Sequence, residues 1–164
     1  MASGDTLAYW TALSNQPPAA SLATLDSRNG HPVLDFDAAT DESAVFPGVM
    51  PDAYAGGGVT VTLVWLASTA TTGDVVWNAA FERHQDDIDD LDADSFAAVQ
   101  AATGTTASAS GEPQYTAIAF TNGAQMDSVA AGESFRLKIT RDADNGSDTM
   151  TGDAELLRVI LSET

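Results

Sequence analysis

Carboxylates are the side chains whose type and spacing could do chemistry in this chain, and they are concentrated in two stretches. The first, RHQDDIDDLDADSF (83–96), contains six aspartates. Asp90, Asp92 and Asp94 have the alternating spacing that opens an EF-hand calcium loop, because hard cations take several oxygen ligands. The rest of the EF-hand pattern is missing, since Ser95 stands where the turn needs glycine. We therefore interpret this stretch as an exposed or inter-subunit acidic loop.

The second stretch, DADNGSDTMTGD (142–153), places Asp142, Asp144 and Asp148 around an Asn-Gly pair. Its glycine falls one position too early for an EF-hand. A polar hairpin loop in which Asn-Gly supplies positive φ explains the composition without an ion. A non-standard calcium site at either stretch stays open as an alternative, and no other cofactor is predicted.

Catalytic patterns are weak. His84 lies close in sequence to Asp86 and Asp87, which would suit a general base, but His31 has no evident partner. The chain has no G-x-S-x-G nucleophile elbow, no phosphate-binding loop and no cysteine. We predict that the protein is not an enzyme.

The charge balance restricts the partners. Six basic residues stand against 24 acidic ones, giving a net charge of −18. Nucleic-acid phosphates and anionic membrane surfaces would be repelled. The charge favours cations or a basic protein surface as partners. The start of the chain has no secretory signal pattern, and no stretch is apolar for long enough to suggest a membrane span.

Short apolar runs separated by Gly, Asp and Asn clusters predict strands. In GVTVTLVWLA (58–67) and DVVWNAAFER (74–83), alternation puts Trp65 and Trp77 on apolar faces, which indicates a core role. A TTGD hairpin turn is predicted between these two runs. Further strands are predicted at 31–37, 114–120, 133–141 and 154–163. The segment 92–103 is open between a short helix and a strand through Phe96 and Val99.

This pattern predicts an all-β fold, an antiparallel β-sandwich of jelly-roll type over residues 31–164. Residues 1–30 show no periodicity and predict an extended, irregular N-terminal arm. Its aromatic pair, Tyr9 and Trp10, is interpreted as an anchor, either against the body of the same subunit or against a neighbour. The residues predicted to bind a partner are Tyr9, Trp10, Pro17, Pro18 and Arg28.

Several stretches together resemble a known family. They are ATLDSRNGHPVLDFD (23–37), FPGVMPDAYAGGGVTVTLVWLASTATTGDVVWNAAFER (46–83) and AGESFRLKITRDADNGSDTMTGDAELLRVILSE (131–163). In their Pro-x-x-Tyr-x-Gly, Thr-Gly-Asp and Gly-Glu-x-Phe patterns they are similar to the small jelly-roll capsid decoration, or cement, proteins of tailed bacteriophages.

This resemblance implies a viral structural protein on the outer surface of the virion. It would stabilise a bacteriophage capsid by bridging capsid subunits, as a homotrimer in contact with the major capsid protein. The resemblance implies no catalysis. The alternative is a phage fibre or a receptor- or carbohydrate-binding module, either dependent on calcium or independent of it.

Overall fold

A computed structural model describes residues 3–164, and strands dominate it. The ten strands are β1 (Thr6–Thr11), β2 (Thr24–Arg28), β3 (His31–Phe36), β4 (Glu42–Val49), β5 (Val59–Ala67), β6 (Asp74–His84), β7 (Gln100–Thr105), β8 (Gln114–Phe120), β9 (Ser134–Arg141) and β10 (Ala154–Glu163). Two short 3₁₀ turns, Ala12–Ser14 and Ala124–Met126, complete the regular structure. No helix in this part of the chain is long and apolar enough to span a membrane.

The strands form two antiparallel sheets that face each other as a sandwich, which confirms the predicted fold class. The six-stranded sheet has the order β2-β3-β10-β5-β8, and the four-stranded sheet has the order β4-β9-β6-β7. β1 also pairs with β10. It occupies the half of that strand from Arg158 onward, whereas β3 occupies the half from Ala154 to Leu156.

Alternation of apolar and polar residues explains why the strands pack in this way. In β9, Phe135, Leu137 and Ile139 are buried, and the residues between them are partly exposed. Their side chains therefore form one apolar face, which requires a second apolar face opposite. Trp65 and Trp77 are fully buried, and their rings pack edge to face with centroids 5.9 Å apart. Their predicted core role is therefore confirmed.

Consecutive strands mostly change sheet. β5 and β6 lie in opposite sheets, and so do β9 and β10. The predicted hairpins at TTGD and at 142–153 are therefore wrong, because each connection crosses between the sheets. Alternation in the sequence identifies the buried face of a strand, but it does not identify the sheet that the strand joins. For this reason the sequence predicted hairpins at both of these connections.

Residues 3–30 are not an irregular arm. β1 joins the six-stranded sheet, and β2 pairs with β3 across an Asn29-Gly30 turn in which both residues have positive φ. This turn geometry suits a two-residue hairpin. The hairpin crosses the boundary predicted at residue 30. The signal was missed because β2 is an edge strand with little buried surface and therefore no clear alternation.

The segment 92–103 contains no helix. Its last residues belong to β7, which pairs with β6 and begins just after Val99. A strand through Phe96 and Val99 is therefore also wrong. At Gly104 an added Cβ would lie 2.2 Å from Thr116 Oγ1 and 2.9 Å from Trp65. Close packing against the opposite sheet thus decides this strand, overriding the helix propensity of its alanines.

Candidate functional site

The predicted calcium ligands of the first acidic stretch do not converge. Asp90, Asp92 and Asp94 are exposed, and two of them hold local backbone turns. Asp90 Oδ1 accepts a bond from the Asp92 amide at 3.1 Å, and Asp94 Oδ1 accepts one from Ser95 at 2.8 Å. Within residues 3–164, the group of three acidic residues whose carboxylate oxygens all lie within 4.8 Å of one another is found elsewhere, at Asp41, Asp142 and Asp144.

Asp89, which was not among the predicted calcium ligands, holds the base of this loop in place. Asp89 accepts two bonds from the Arg83 guanidinium, at 3.0 and 3.1 Å, and a third from the Gln85 amide at 2.6 Å. These bonds, led by that of Arg83, hold the pKa of Asp89 below its usual value. The loop is therefore fixed at its base, while Ile88 and Leu91 project from it, 68% and 60% exposed.

The second acidic stretch encloses a buried ion pair. Arg141 Nη2 donates to Asp148 Oδ1 at 2.8 Å, and both side chains are almost completely buried. The same guanidinium also donates to the carbonyls of Phe36, Met150 and Gly152. Asp148 is thus a structural partner of Arg141 and does not join Asp142 and Asp144, which corrects the predicted ligand set.

Asp41, Asp142 and Asp144 form a cluster of three carboxylates. Asp41 Oδ1 accepts a bond from the Ala143 amide at 2.8 Å. Repulsion, chiefly from Asp41, raises the pKa of Asp144. Asp142 accepts bonds from the amides of Asn78 and Asn145 at 3.1 and 3.0 Å. The group is mostly exposed, and such acidic groups are common on protein surfaces without an ion.

The predicted partner residues differ in burial, and the first two point to opposite sides of β1. Trp10 is 7% exposed, packs against Phe46 and Phe135, and donates from Nε1 to the Pro47 carbonyl at 2.7 Å. Trp10 therefore anchors β1 in the core of its own chain, which agrees with the first of the two predicted anchor roles. Its place among the predicted partner-binding residues is wrong. Tyr9 points the opposite way and is 66% exposed.

The other predicted partner residues lie along the edge of the sandwich. Pro17 is exposed and Pro18 partly exposed, in the connection from β1 to β2. On both sides of them this connection bonds to β4, through the Gln16 and Ala23 amides at 2.8 and 3.0 Å. Arg28 is held by its own chain, with Nη1 donating to Glu155 Oε2 at 2.6 Å.

The remaining surface of interest is the outer side of the six-stranded sheet where β1, β10, β5 and β8 lie side by side. Strand register places the outward residues in rows across these strands. We call this surface the carboxylate-free face, because it contains no Asp or Glu. Its residues are Thr6, Tyr9, Thr11, Arg158, Ile160, Ser162, Thr60, Thr62, Val64, Tyr115, Ala117 and Ala119.

Arg158 is the one charged residue on this face. Its guanidinium carbon lies 6.0 Å from the centre of the Tyr9 ring, and no ion pair to it is found among residues 3–164. Tyr115, in the same row as Arg158, is 69% exposed. Tyrosine and arginine are enriched in protein interfaces, where acidic residues are depleted. On a chain of net charge −18, such a face indicates an interaction surface.

A groove of about 420 Å³ lies on the other half of the same sheet. Its floor includes Val33, Leu66 and Leu157, and Arg28 forms part of its wall. Gly111 packs so closely on Arg28 that an added Cβ would lie 2.8 Å from the guanidinium. The arginine therefore joins the loop before β8 to the sheet and shapes the groove.

Asp35 lies on the outer side of the sheet, next to Glu155 in the strand register. Burial first, and then the negative charges of Glu155, Asp26 and Asp153, raise its pKa to about 6. Its Oδ1 is buried without a hydrogen-bond partner in the described chain. With a pKa of about 6, Asp35 changes its charge just below neutral pH.

The two histidines form no catalytic arrangement with the aspartates next to them in sequence. His84 Nε2 faces Glu82 Oε1 at 3.9 Å, and the buried Glu82 is paired with Arg136. His31 is exposed beside the groove.

The sequence analysis did not predict the carboxylate-free face. A signal was present, because the outward positions of TLAYWT, VTVTLVWLA and QYTAIAF carry no acid. These strands are far apart in the chain, however, and only the sheet order brings them together.

Comparison with known protein families found no family that matches this chain. A search of curated proteins found no significantly similar sequence.

Proposed function

We propose that this chain is a structural protein of a tailed-bacteriophage particle, which decorates the outer surface of the capsid and stabilises it by bridging capsid subunits, without catalysis. The observation that carries the proposal is the carboxylate-free face. A strongly acidic chain that keeps one face free of acids, and exposes tyrosines and an arginine there, has the composition of a protein-binding subunit.

The strand order supports a jelly roll as the finer description of the sandwich. The orders β3-β10-β5-β8 and β4-β9-β6-β7 give two facing sets of four strands. Jelly rolls have eight strands in two sheets and occur in viral capsid proteins. This agreement adds to the sequence resemblance, although the same fold serves many functions.

The experiment uses capsid shells of the encoding virus assembled without this chain. Purified chain is added, the shells are sedimented, and the bound chain is measured together with the temperature at which the shells open. We expect saturable binding and a higher opening temperature, because a ligand that binds only the intact state stabilises that state. An equally acidic, unrelated protein serves as the control. Failure to bind intact shells would overturn the proposal.

A second candidate is a receptor- or carbohydrate-binding module. It is favoured by Tyr9 and Tyr115, which are exposed on one flat face three strands apart, or roughly 14 Å by strand spacing. Aromatic rings on a flat face suit sugar stacking. A glycan array, with and without calcium, tests it in the same preparation. A clear sugar hit that Tyr115→Ala removes would favour this candidate over the capsid protein.

A further inference from the structure

Two of the surfaces that expose apolar side chains to solvent carry opposite charge. One is the carboxylate-free face, with Tyr9, Tyr115 and Arg158, for which residues 3–164 provide no ion-pair partner. The other is the acidic loop at 85–94, from which Ile88 and Leu91 project among exposed aspartates. We propose that the acidic loop of one copy docks on the carboxylate-free face of a second copy.

Charge decides between the possible pairings of these two surfaces. Two carboxylate-free faces in contact would bring two Arg158 side chains into a dry interface that offers no carboxylate, which is costly. Two acidic loops would repel each other. Of these pairings, only the contact between the face and the loop brings the Arg158 guanidinium close to aspartates. The same contact lets Tyr9 and Tyr115 cover the exposed Ile88 and Leu91.

The fold makes this contact intermolecular. The face lies on the outer side of the six-stranded sheet, whereas the acidic loop follows β6 in the opposite sheet. A chain cannot bring its own loop around the sandwich to its own face. The contact is therefore head-to-tail, and it closes into a ring or continues as an open chain depending on the rotation between copies.

The loop is preorganised for docking. The bonds of Asp89 to Arg83 and Gln85 fix its base, and the Ala93 and Asp94 amides both donate to the Asp90 carbonyl, at 2.9 and 2.8 Å. A loop that is already ordered loses little conformational entropy on binding. The carboxylate-free face spans four strands, or roughly 14 Å by strand spacing. We therefore expect a contact at the small end of the range of protein interfaces, with an association that depends on concentration.

This inference deepens the proposed function, since it names one partner of the subunit. The test is sedimentation velocity of the purified chain alone, from about 5 to about 200 μM, a range chosen for a Kd near the micromolar values of weak interfaces. We expect the wild type to form larger species as its concentration rises. Arg158→Glu and the double variant Ile88→Ser/Leu91→Ser should each weaken association by about tenfold or more, as removal of a central anchor does.

Two matched control variants and one charge-exchange variant make the test specific to the proposed contact. Lys138→Glu makes the same charge change on the opposite sheet, and Val49→Ser removes an equally exposed apolar side chain outside both surfaces. Both should associate like the wild type. Replacing Asp86 and Asp92 by lysine should also weaken association. Combining those lysines with Arg158→Glu should restore much of it, since the charges are exchanged.

The outcomes separate this inference from the proposed function. A wild type that stays monomeric over the whole range overturns the face-to-loop contact, even if the chain still binds shells. Loss of association in Arg158→Glu, with the loop variants unaffected, means that the face meets another surface and also overturns it. Failure of shell binding by a chain that self-associates overturns only the capsid proposal.

Discussion

At the residue scale, identical side chains in one acidic stretch have different roles. Asp148 is buried against Arg141, whereas Asp144 is exposed and close to Asp41. The buried pair is satisfied on all sides, because the guanidinium also donates to the Phe36 carbonyl in β3 and to the Met150 and Gly152 carbonyls in the 142–153 connection. Arg141 thus ties the 142–153 connection to both sheets, and this role explains the aspartate without an ion.

Asp148→Asn is expected to lower the free energy of unfolding by about 3–5 kcal/mol, because it leaves the Arg141 charge buried without a counter-charge. Chemical denaturation followed by tryptophan fluorescence measures the change. Asp144→Asn, in the same connection but exposed, is the control and should change stability by less than about 0.5 kcal/mol. Equal losses for the two variants would contradict the assigned role of Asp148.

Asp35 predicts a pH dependence with a definite sign. Its pKa is about 6 in the folded chain and near 3.8 without burial, so the folded state holds the proton more tightly. Its contribution to stability is therefore favourable at low pH, falls as the pH rises from about 4 to about 6, and stays unfavourable above that range.

Asp35→Asn should accordingly raise the melting temperature at pH 7.5 and give no gain at pH 4. Thermal unfolding of the variant and the wild type across this range measures the difference, with the exposed Asp52→Asn as a matched control. A gain of the same size at both pH values would show that the ionisation of Asp35 is not the cause.

At the element scale, β1 is the clearest departure from the sequence-based prediction. It pairs with the second half of β10 and buries Leu7 and Trp10, so it completes the core. Gly48 in β4 makes room for this, since an added Cβ there would lie 2.9 Å from Trp10 and 2.7 Å from Phe135. The connection that follows β1 then bonds to β4 at the edge of the other sheet.

Trp10→Ala should therefore destabilise the isolated chain by about 3–5 kcal/mol, as other buried large-to-small changes do. Its neighbour Tyr9→Ala, on the exposed side of the same strand, is the matched control and should change the free energy of unfolding by less than about 0.5 kcal/mol. Denaturant titration measures both. A stable Trp10→Ala monomer would restore the idea that this segment serves a partner surface.

At the scale of the whole molecule, the distribution of charge matters more than its total. The net charge of −18 opposes association in general, because like charges repel at short range. Acids are nevertheless missing from the one flat face that β1, β10, β5 and β8 share. The proposed capsid role and the proposed contact between copies both depend on this uneven distribution, and the shell-binding and sedimentation experiments test it at this scale.

The sequence by itself determined the fold class and most of the central strands. β8 and β10 coincide with their predicted ranges, and β5, β6 and β9 agree within about one residue. This success has a local cause. β8 and β9 alternate buried and more exposed residues, since each successive side chain points to the opposite side of the sheet, and β5, β6 and β10 contain apolar runs. Edge strands such as β2 bury little, and their sequences therefore carry little of this signal.

Only the tertiary structure decided which residues share a surface. Trp10 and Tyr9 are adjacent in sequence, yet one is in the core and the other in solvent, because β1 pairs with β10. The carboxylate-free face likewise combines strands from the beginning, middle and end of the chain. The acidic loop is visible in the sequence, but the carboxylate-free face is not. A surface is defined by contacts between distant segments, and local patterns do not encode those contacts.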